Sequence, residues 1–582
     1  MYWDLRDKLL TSINVLLALL AAFTIALTLY SCSKFYTFLP TSDTWTYTDF
    51  LAQAAQGHLD TQTLFVKHND AHVIVLPKLA YFFDVWLLKG SGVLVMFVSL
   101  AAMLSTTAIF LRVIFCINAI SKTEKTFLAC LSIILLMSAC QVESLLNPAN
   151  LQWSLLVFSA TLTAWFVSLA AQKKSPANIA GVIAGIILAS LTSASPLLIV
   201  LPFALLALGK KWATRVSLAL AVVAIASLVI GQLFFHQQFP FLFALVKNWL
   251  KFTVDFLAPP VERLDSLFAS IVAGALVLCG LFALAYTPLR AEKKEAVFFG
   301  FLLWFSLGVI LAAGIVRAYS PDAFTFRFVN LGLLFAAALL PLLLLQQALL
   351  QHRHRIVMSA CVVYVMLLSY VNVTEASAFA YGRNHIRLTQ VAHALDINDP
   401  FVVASMPGTV WEKSDFDFIQ ANKYKLKEAH IGIYASAQYQ QLGKPIAALE
   451  NRKPLACKTS IIKMRRLLPD QASWRLWGET KTEAGETLSH AWFVDNNNII
   501  RGFAIPIEPT KNLLADLGSD KQWAGFLNLD TISLDGTTLA AGGDETSLTL
   551  YAYSDSDKKI CQGEKIVLPE YKDLRKKSAR AE

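Results

Sequence analysis

Charged residues are scarce in this chain: they make up 16% of 582 residues, whereas 56% belong to the hydrophobic set. This composition excludes a disordered chain and is not typical of a soluble enzyme. The shortage is uneven. Residues 1–374 hold 24 Lys and Arg and 15 Asp and Glu, whereas the shorter stretch 375–582 holds 26 Lys and Arg and 26 Asp and Glu. We therefore expect a polytopic α-helical membrane module over 1–374, followed by a water-soluble domain.

Several short motifs are also missing. The eight cysteines include no CxxC pair, so nothing indicates a zinc site. The chain has no P-loop, dinucleotide-binding fingerprint or kinase signature, and no basic stripe with interleaved aromatic residues that would indicate nucleic-acid binding. No cleavable signal peptide is expected, because the apolar run Leu9 to Ser31 is 23 residues long and can remain as a span.

Long apolar runs, by contrast, predict about 11 transmembrane helices. Segment 73–88 has 16 residues and includes Pro77, Lys78 and Asp84, so we expect it to form an interfacial or re-entrant helix that does not cross. The runs lie at roughly 9–31, 93–116, 126–146, 151–171, 177–194, 196–209, 212–235, 265–287, 295–316, 327–349 and 355–374.

The basic residues between the spans indicate the orientation, because Lys and Arg accumulate in cytoplasmic loops. Six basic clusters fall on one side if 73–88 does not cross. This places the amino end in the cytoplasm and leaves residues 375–582 outside, together with the loops 32–92, 142–150, 236–264 and 317–326. The clusters are Arg6 and Lys8, Lys122 and Lys125, Lys173 and Lys174, Lys210, Lys211 and Arg215, Arg290, Lys293 and Lys294, and Arg353 and Arg355.

The first outer loop is rich in residues that could do chemistry. A carboxylate beside an apolar surface can have a raised pKa and act as a general base, and aromatic rings can offer a face to a sugar or an isoprenoid chain. The alternative is a solvated interfacial loop with aromatic anchors. A metal site at the histidines is less favoured, because no third pair of ligands lies nearby. The residues are Asp43, Asp49, Asp60, Asp70, His58, His68, His72, Trp45, Tyr47, Phe50 and Phe65.

Three further outer loops carry candidates. Glu143 in loop 142–150 is costly at a span end unless it is functional or paired with an outer arginine. Arg317 and Arg327 bracket loop 317–326 and fit a lipid-linked phosphate or diphosphate, or else ordinary lipid head groups. Loop 236–264, with Lys247, is typical of an amphipathic interfacial helix.

These segments together resemble the bacterial multi-spanning glycosyltransferases of the GT-C superfamily. The resemblance is architectural over about 1–374, with short motifs. Asp70 stands where the family pattern has glutamate, and His72 stands where it has arginine. The motifs are SDTW at 42–45, KHNDAH at 67–72 before LPKL at 76–79 (similar to an HNEHR…PRL pattern), and the loop with Glu143 and QW at 152–153.

The resemblance implies a GT-C-like fold and a glycosyltransferase in the bacterial inner membrane. Such an enzyme moves a sugar from a polyprenyl-phosphate carrier to a cell-envelope glycan or lipid acceptor on the outer side. Asp43 is then the candidate catalytic base, with Asp49 as the alternative, and a single base implies inversion. The candidates for binding the substrate or carrier phosphate are Arg317, Arg327, His68, Asp70, His72, Lys78, Glu143 and Lys247.

Two points about this function stay open. Some members of the superfamily use a divalent metal, which the isolated acidic residue here does not favour. A transporter or flippase for a lipid-linked sugar, or a non-catalytic envelope scaffold, are the alternative functions. Few buried charges and no obvious inverted repeat count against the transporter.

Residues 375–582 are expected to form a two-part periplasmic domain. Residues 375–470 have a mixed α/β composition, with helices near 384–395 and 415–428 and a strand at 401–404. In residues 471–582, alternating apolar runs between turn residues predict an antiparallel β-sandwich, followed by a basic tail. This part also resembles a β domain appended to such enzymes, which binds the glycan acceptor or caps the site. Cys457 and Cys561 either form a disulfide, as an oxidising periplasm favours, or are buried thiols.

Overall fold

The computed structural model describes most of the chain, as two compact units. The first comprises Met1–Tyr36, Asp60–Tyr81 and Val93–Ala376, and the second comprises Thr37–Leu59, Phe82–Gly92 and Ser377–Glu582. The described residues are 2–40, 42–65, 74–193, 266–286, 294–317, 329–345, 354–397, 413–449, 453–454, 457–467, 473–482, 490–507, 522–529, 547–554 and 559–568.

Most of the described residues are helical. In chain order the α-helices are α1 (Tyr2–Phe35), α2 (Thr48–Ala55), α3 (Thr61–Phe65), α4 (Val75–Leu88), α5 (Val93–Phe115), α6 (Lys122–Leu136), α7 (Val142–Leu146), α8 (Leu151–Gln172), α9 (Pro176–Thr192), α10 (Ser266–Tyr286), α11 (Lys294–Arg317), α12 (Val329–Leu345), α13 (His354–Ala394) and α14 (Lys413–Glu428).

Within the described residues, six helical stretches are long and apolar enough to cross a membrane, and three apolar helices are shorter. This supports a polytopic helical membrane module. The number of 11 spans stays a prediction, because the runs 196–209 and 212–235 lie outside the described residues. The six are Thr11–Phe35, Val93–Phe115, Lys122–Leu146, Pro148–Gln172, Lys294–Leu311 and Met358–Ser377, and the shorter ones are Pro176–Thr192, Ile271–Leu281 and Val329–Leu345.

The short segment predicted to lie at the interface is a helix. Helix α4 has 14 residues, which corresponds to about 21 Å at 1.5 Å per residue. The hydrocarbon core of a bilayer is roughly 30 Å thick. The length of α4 therefore suits the prediction that this segment does not cross.

The first unit is a bundle in which α5, α6, α8, α11 and α12 pack against one another, with α1 against α6 and α9 against α8. Phe110 and Phe298 meet edge to face, with ring centroids 5.3 Å apart. Helix α6 begins at a capping box, in which Ser121 and Glu124 bond each other's backbone N–H groups. Residues 296–310 of α11 and nearly all residues of α12 are buried, so both helices lie in the interior of the bundle.

Helix α13 differs from its prediction. The sequence predicts a span at 355–374 and a separate helix near 384–395, but the structure has one helix of 41 residues, His354–Ala394. The change from apolar to polar composition therefore does not end the helix. No proline interrupts residues 375–394, so nothing forces the backbone to break there.

The described strands form one sheet in the order β1-β8-β7-β4-β5-β6-β3-β2, rather than the two sheets of the predicted sandwich. The pairings are antiparallel, as predicted, apart from β1 with β8. The sheet also includes residues before 471. The strands are β1 (Lys453–Pro454), β2 (Cys457–Arg466), β3 (Ser473–Thr482), β4 (His490–Asp495), β5 (Ile500–Pro506), β6 (Gln522–Asn528), β7 (Ser547–Ser554) and β8 (Lys559–Val567).

The sheet curls so that β2 and β8 approach each other. Cys457 on β2 and Cys561 on β8 form a disulfide, with Cα atoms 6.0 Å apart. A Cβ atom at Gly563 on β8 would collide with Thr459 on β2. The inner face holds one apolar core, which includes Trp474, Leu476, Phe493, Trp523, Leu527, Leu548 and Leu550.

Candidate functional site

Asp43, the candidate base, lies in a 3-10 helix, Ser42–Tyr47, that leads directly into α2. Its backbone is described and its side chain is not. Trp45, Tyr47 and Phe50, which follow it in the chain, are buried. These three rings therefore anchor the segment in the core of the second unit, as in the alternative of aromatic anchors, whereas Phe65 at the end of α3 is exposed.

The last turns of α13 hold the segment that carries Asp43. Gln390 Nε2 donates a hydrogen bond of 2.7 Å to the carbonyl oxygen of Phe38. The ring of His393 packs against Trp45, with centroids 5.6 Å apart. Residues 37–59 and 82–92 of the first outer loop thus belong to the same compact unit as residues 377–582.

Two backbone hydrogen bonds tie three remote parts of the chain together. Leu39 N donates to the Gly90 carbonyl oxygen at 2.7 Å, and Gly432 N donates to the Lys89 carbonyl oxygen at 2.7 Å. They join the start of the outer loop, the turn after α4 and the turn after α14. All of these residues lie in the second unit.

Glycines make this junction possible. Gly92 has a φ of +79° and Gly432 a φ of +63°, a region that side chains disfavour. A Cβ atom at Gly92 would collide with the Thr37 carbonyl oxygen, and one at Gly432 with that of Leu39. The Asp84 carboxylate accepts a hydrogen bond of 2.8 Å from Gly92 N and so stabilises the turn.

Asp49, the alternative base, has a clear structural partner. Its carboxylate lies 2.6 Å from Lys425 Nζ on α14, and its side chain is 73% exposed. The hydrogen bond to Asp49 raises the pKa of Lys425. This ion pair gives Asp49 a role in joining α2 to α14, so Asp43 remains the first candidate.

Lys78 on α4 is a buried cation in the first unit. Its ammonium donates a hydrogen bond of 2.7 Å to the Thr63 carbonyl oxygen, and burial lowers the pKa of Lys78 to about 8. One turn later, Tyr81 donates a 2.5 Å hydrogen bond to the carbonyl oxygen of Pro148. The carboxyl half of loop 142–150 is thereby fixed to α4.

A polar network surrounds the start of the same loop. Asn372 Oδ1 accepts hydrogen bonds from Ser138 Oγ at 2.5 Å and from Cys140 N at 3.3 Å. Gln141 Nε2 donates to the Leu136 carbonyl oxygen at 2.8 Å. These bonds satisfy backbone groups where α6 ends, a position that would otherwise be costly in an apolar bundle.

Four buried amide side chains in this region each have one polar atom that makes no hydrogen bond within the described structure. Gln141 Oε1, Asn150 Nδ2, Gln152 Oε1 and Asn372 Nδ2 have no hydrogen-bond partner in the part of the chain that the structure describes. Each such group costs about 1–3 kcal/mol if it stays unsatisfied. Buried polar groups of this kind require an explanation, and a bound polar ligand is one. We call these four residues the amide cluster.

The remaining predicted site residues are placed only in part. Glu143 is half-buried on α7, next to the amide cluster. Arg317 is the last residue of α11, and its side chain is not described. The other predicted residues, Arg327, His68, Asp70, His72 and Lys247, lie outside the described residues.

Metal ligands do not gather in the part of the chain that the structure describes. No group of three His, Cys, Asp or Glu side chains there could hold an ion. Because His68, Asp70 and His72 lie outside that part, the prediction about a metal stays a prediction.

Sequence reasoning missed Asn372, His393 and Lys425. Asn372 could have been noticed in the sequence, because a polar amide near the end of an apolar span costs free energy unless it has a structural or functional role. His393 and Lys425 had none, because their partners Trp45 and Asp49 lie more than 300 residues away in the chain. Comparisons with protein-family profiles, curated proteins and solved structures gave no significant match.

Proposed function

We propose that this protein is a glycosyltransferase of the bacterial inner membrane. In this proposal it moves a sugar from a polyprenyl-phosphate carrier to a glycan or lipid acceptor of the cell envelope. The amino end is cytoplasmic and the second unit is periplasmic, where the disulfide between Cys457 and Cys561 is stable.

The observation that carries the proposal is the amide cluster in the first unit. An amide offers both donors and acceptors, which complement the hydroxyl groups of a sugar. The cluster is neutral and buried, so a polyhydroxyl group would satisfy its unused atoms without introducing a charge into the bundle. Gln141, Asn150 and Gln152 lie in or beside the loop 142–150 on which the family resemblance partly rests, and Asn372 bonds to Cys140 just before that loop.

The proposed chemistry is a single displacement. Asp43 accepts the proton of the acceptor hydroxyl while that oxygen attacks the anomeric carbon of the donor sugar. The bond from the anomeric carbon to the carrier phosphate breaks, and polyprenyl phosphate leaves with the electron pair. One base and one displacement invert the anomeric configuration.

The leaving phosphate needs a positive partner. Lys78, Arg317 and Arg327 are the candidates. Lys78 is the one with a described side chain, and with a pKa of about 8 it is mostly charged at neutral pH. In a buried position such a charge acts more strongly than it would in water.

The test compares two matched variants of the purified protein in detergent. We expect Asp43→Asn to abolish turnover of a polyprenyl-phosphate sugar while binding of the carrier is kept. Asp49→Asn, the same change in the same loop, should keep turnover. Full activity of Asp43→Asn would remove Asp43 as the base. Transport of the carrier without any transfer would support the flippase alternative instead.

A further inference from the structure

The outer face of strands β2 and β3 carries a concentration of positive charge. Inner residues of these strands, such as Met464 and Leu476, pack in the core, so the residues between them point outward. Among the outward side chains that the structure describes on β2 and β3, four are basic and one, Glu479, is acidic. The basic residues are Lys458, Lys463, Arg465 and Arg475, and we call these four the basic face.

Like charges face each other across the two strands. Arg465 lies directly opposite Arg475 in the register. Directly opposed like charges destabilise a sheet by a fraction of a kcal/mol up to about 1 kcal/mol per pair. A bound anion would lower the repulsion between these two guanidinium groups.

Trp477 holds two of the cations in place. The Arg475 guanidinium lies 4.4 Å from the centroid of the Trp477 ring, and Lys463 Nζ lies 5.4 Å from it. Lys463 is the cross-strand partner of Trp477. Cation–π contacts of this kind restrict long side chains before a ligand arrives, so less conformational entropy is lost on binding.

The charges are arranged in a row. Lys463 and Arg465 are two residues apart on β2, which places them about 7 Å apart along the strand. Lys458 continues the row toward the start of β2, and all three are exposed. A row of this kind complements an extended polymer that carries several anionic groups.

We propose that the basic face binds an acidic polysaccharide, one that carries carboxylate or phosphate groups along its chain. This inference rests on the proposed function, because a transferase that acts on cell-envelope glycans must meet such polymers in its own compartment. It identifies the class of acceptor that the second unit holds. A negatively charged membrane is the competing occupant and is an outcome of the test.

The experiment measures binding of the full-length protein, in an uncharged detergent, to polygalacturonate and to neutral dextran of similar length. We expect binding to polygalacturonate alone, weakening as salt is added. The double variant Lys463→Gln/Arg465→Gln should bind at least tenfold more weakly. The control Lys173→Gln/Lys174→Gln removes the same charge from two exposed residues of the first unit and should bind like wild type.

Three results would overturn the inference: equal binding to dextran, unchanged affinity of the double variant, or an equal loss in the control. Preferential binding to vesicles that contain anionic phospholipid would assign the face to a membrane. Trp477→Leu keeps every charge and should weaken binding severalfold, which covers the case in which the double variant folds poorly. Asp43→Asn should bind polygalacturonate normally, so failure of the proposed chemistry and failure of this site give different results.

Discussion

Asn372, close to the end of the last apolar stretch, accepts a 2.5 Å hydrogen bond from Ser138, which lies 234 residues earlier in the chain. The same oxygen accepts a bond from Cys140 N. One amide oxygen thus fixes α13 to the residues that follow α6, while its nitrogen stays unused within the described structure. Asn372 therefore combines a structural role with a place in the amide cluster.

Replacing Asn372 should cost stability. Asn372→Leu leaves the buried Ser138 Oγ without its acceptor, which costs about 1–3 kcal/mol, whereas Cys140 N keeps Ser138 Oγ as a second acceptor. We expect a lower thermal unfolding midpoint for the purified protein in detergent. Asn178→Leu makes the same change at a residue whose side chain bonds at the exposed start of α9, and it should have a smaller effect. Equal midpoints for wild type and Asn372→Leu would contradict this role.

Gln152 should behave in the opposite way. Its Nε2 makes only a 3.4 Å hydrogen bond to the Ala149 carbonyl oxygen, and its Oε1 is unsatisfied. Gln152→Leu removes this buried polar group, so stability should stay unchanged or rise. If the amide binds sugar, transfer should nevertheless fall at least tenfold. If Gln152→Leu keeps both its stability and its transfer activity, the amide cluster does not take part in sugar transfer.

The glycines at the junction of the second unit should not tolerate a side chain. Gly92→Ala and Gly432→Ala place a Cβ atom in a carbonyl oxygen at positive φ, which should cost about 1–3 kcal/mol each. Limited proteolysis of the first outer loop should then become faster. Gly274→Ala on α10 is the control, since no atom lies within 4 Å of its added Cβ. Unchanged proteolysis of both junction variants would contradict the anchoring of this loop.

Buried His393 should make the second unit less stable in acid. Burial, helped by the charge of Lys423 and opposed by Asp396, lowers the pKa of His393 to about 3. An unfolded histidine has a pKa near 6.5, so between these values only the unfolded chain binds the proton. Stability should fall as pH drops from about 6.5 toward 3, by up to about 1.4 kcal/mol per pH unit. The free energy of unfolding of His393→Phe, measured across this pH range, should lack that part of the pH dependence. A curve parallel to that of the wild type would refute the role of His393.

Because of Lys78, binding of the carrier should weaken as the pH rises above 7. Because the pKa of Lys78 is about 8, the ammonium loses its proton between pH 7 and 9, and affinity for a lipid phosphate should fall over that range. Stability should instead rise from pH 8 to 10.5, since there the unfolded chain holds the proton. Lys78→Gln should bind the carrier weakly and without this pH dependence. If its binding retains the wild-type dependence, another group is responsible.

Features encoded by local pattern could be predicted from the sequence. The apolar run 93–116 corresponds to α5, Val93–Phe115, and the alternating runs correspond to β4 to β7. Hydrophobic periodicity and turn residues act over a few positions, and these elements depend on little else.

Features that depend on distant partners could not be predicted. Nothing near Asp43 or Asp49 in the sequence indicates that His393 and Lys425 hold their segment. The number of sheets is likewise decided by which strands pair, and alternation alone does not encode that choice. Helix α13 continues past residue 374, where the sequence changes from apolar to polar. Polarity decides whether a segment can lie in a membrane, but it does not end the helical backbone.

The central claim, sugar transfer, is tested most directly by mass spectrometry of the cell-envelope glycans. Cells with the intact gene are compared with cells that carry Asp43→Asn, with Asp49→Asn as the matched control. The account predicts that one defined sugar residue disappears from a glycan or lipid in Asp43→Asn cells and is present in the other two. Identical glycans in all three, with the Asp43→Asn protein folded and equally abundant, would contradict it.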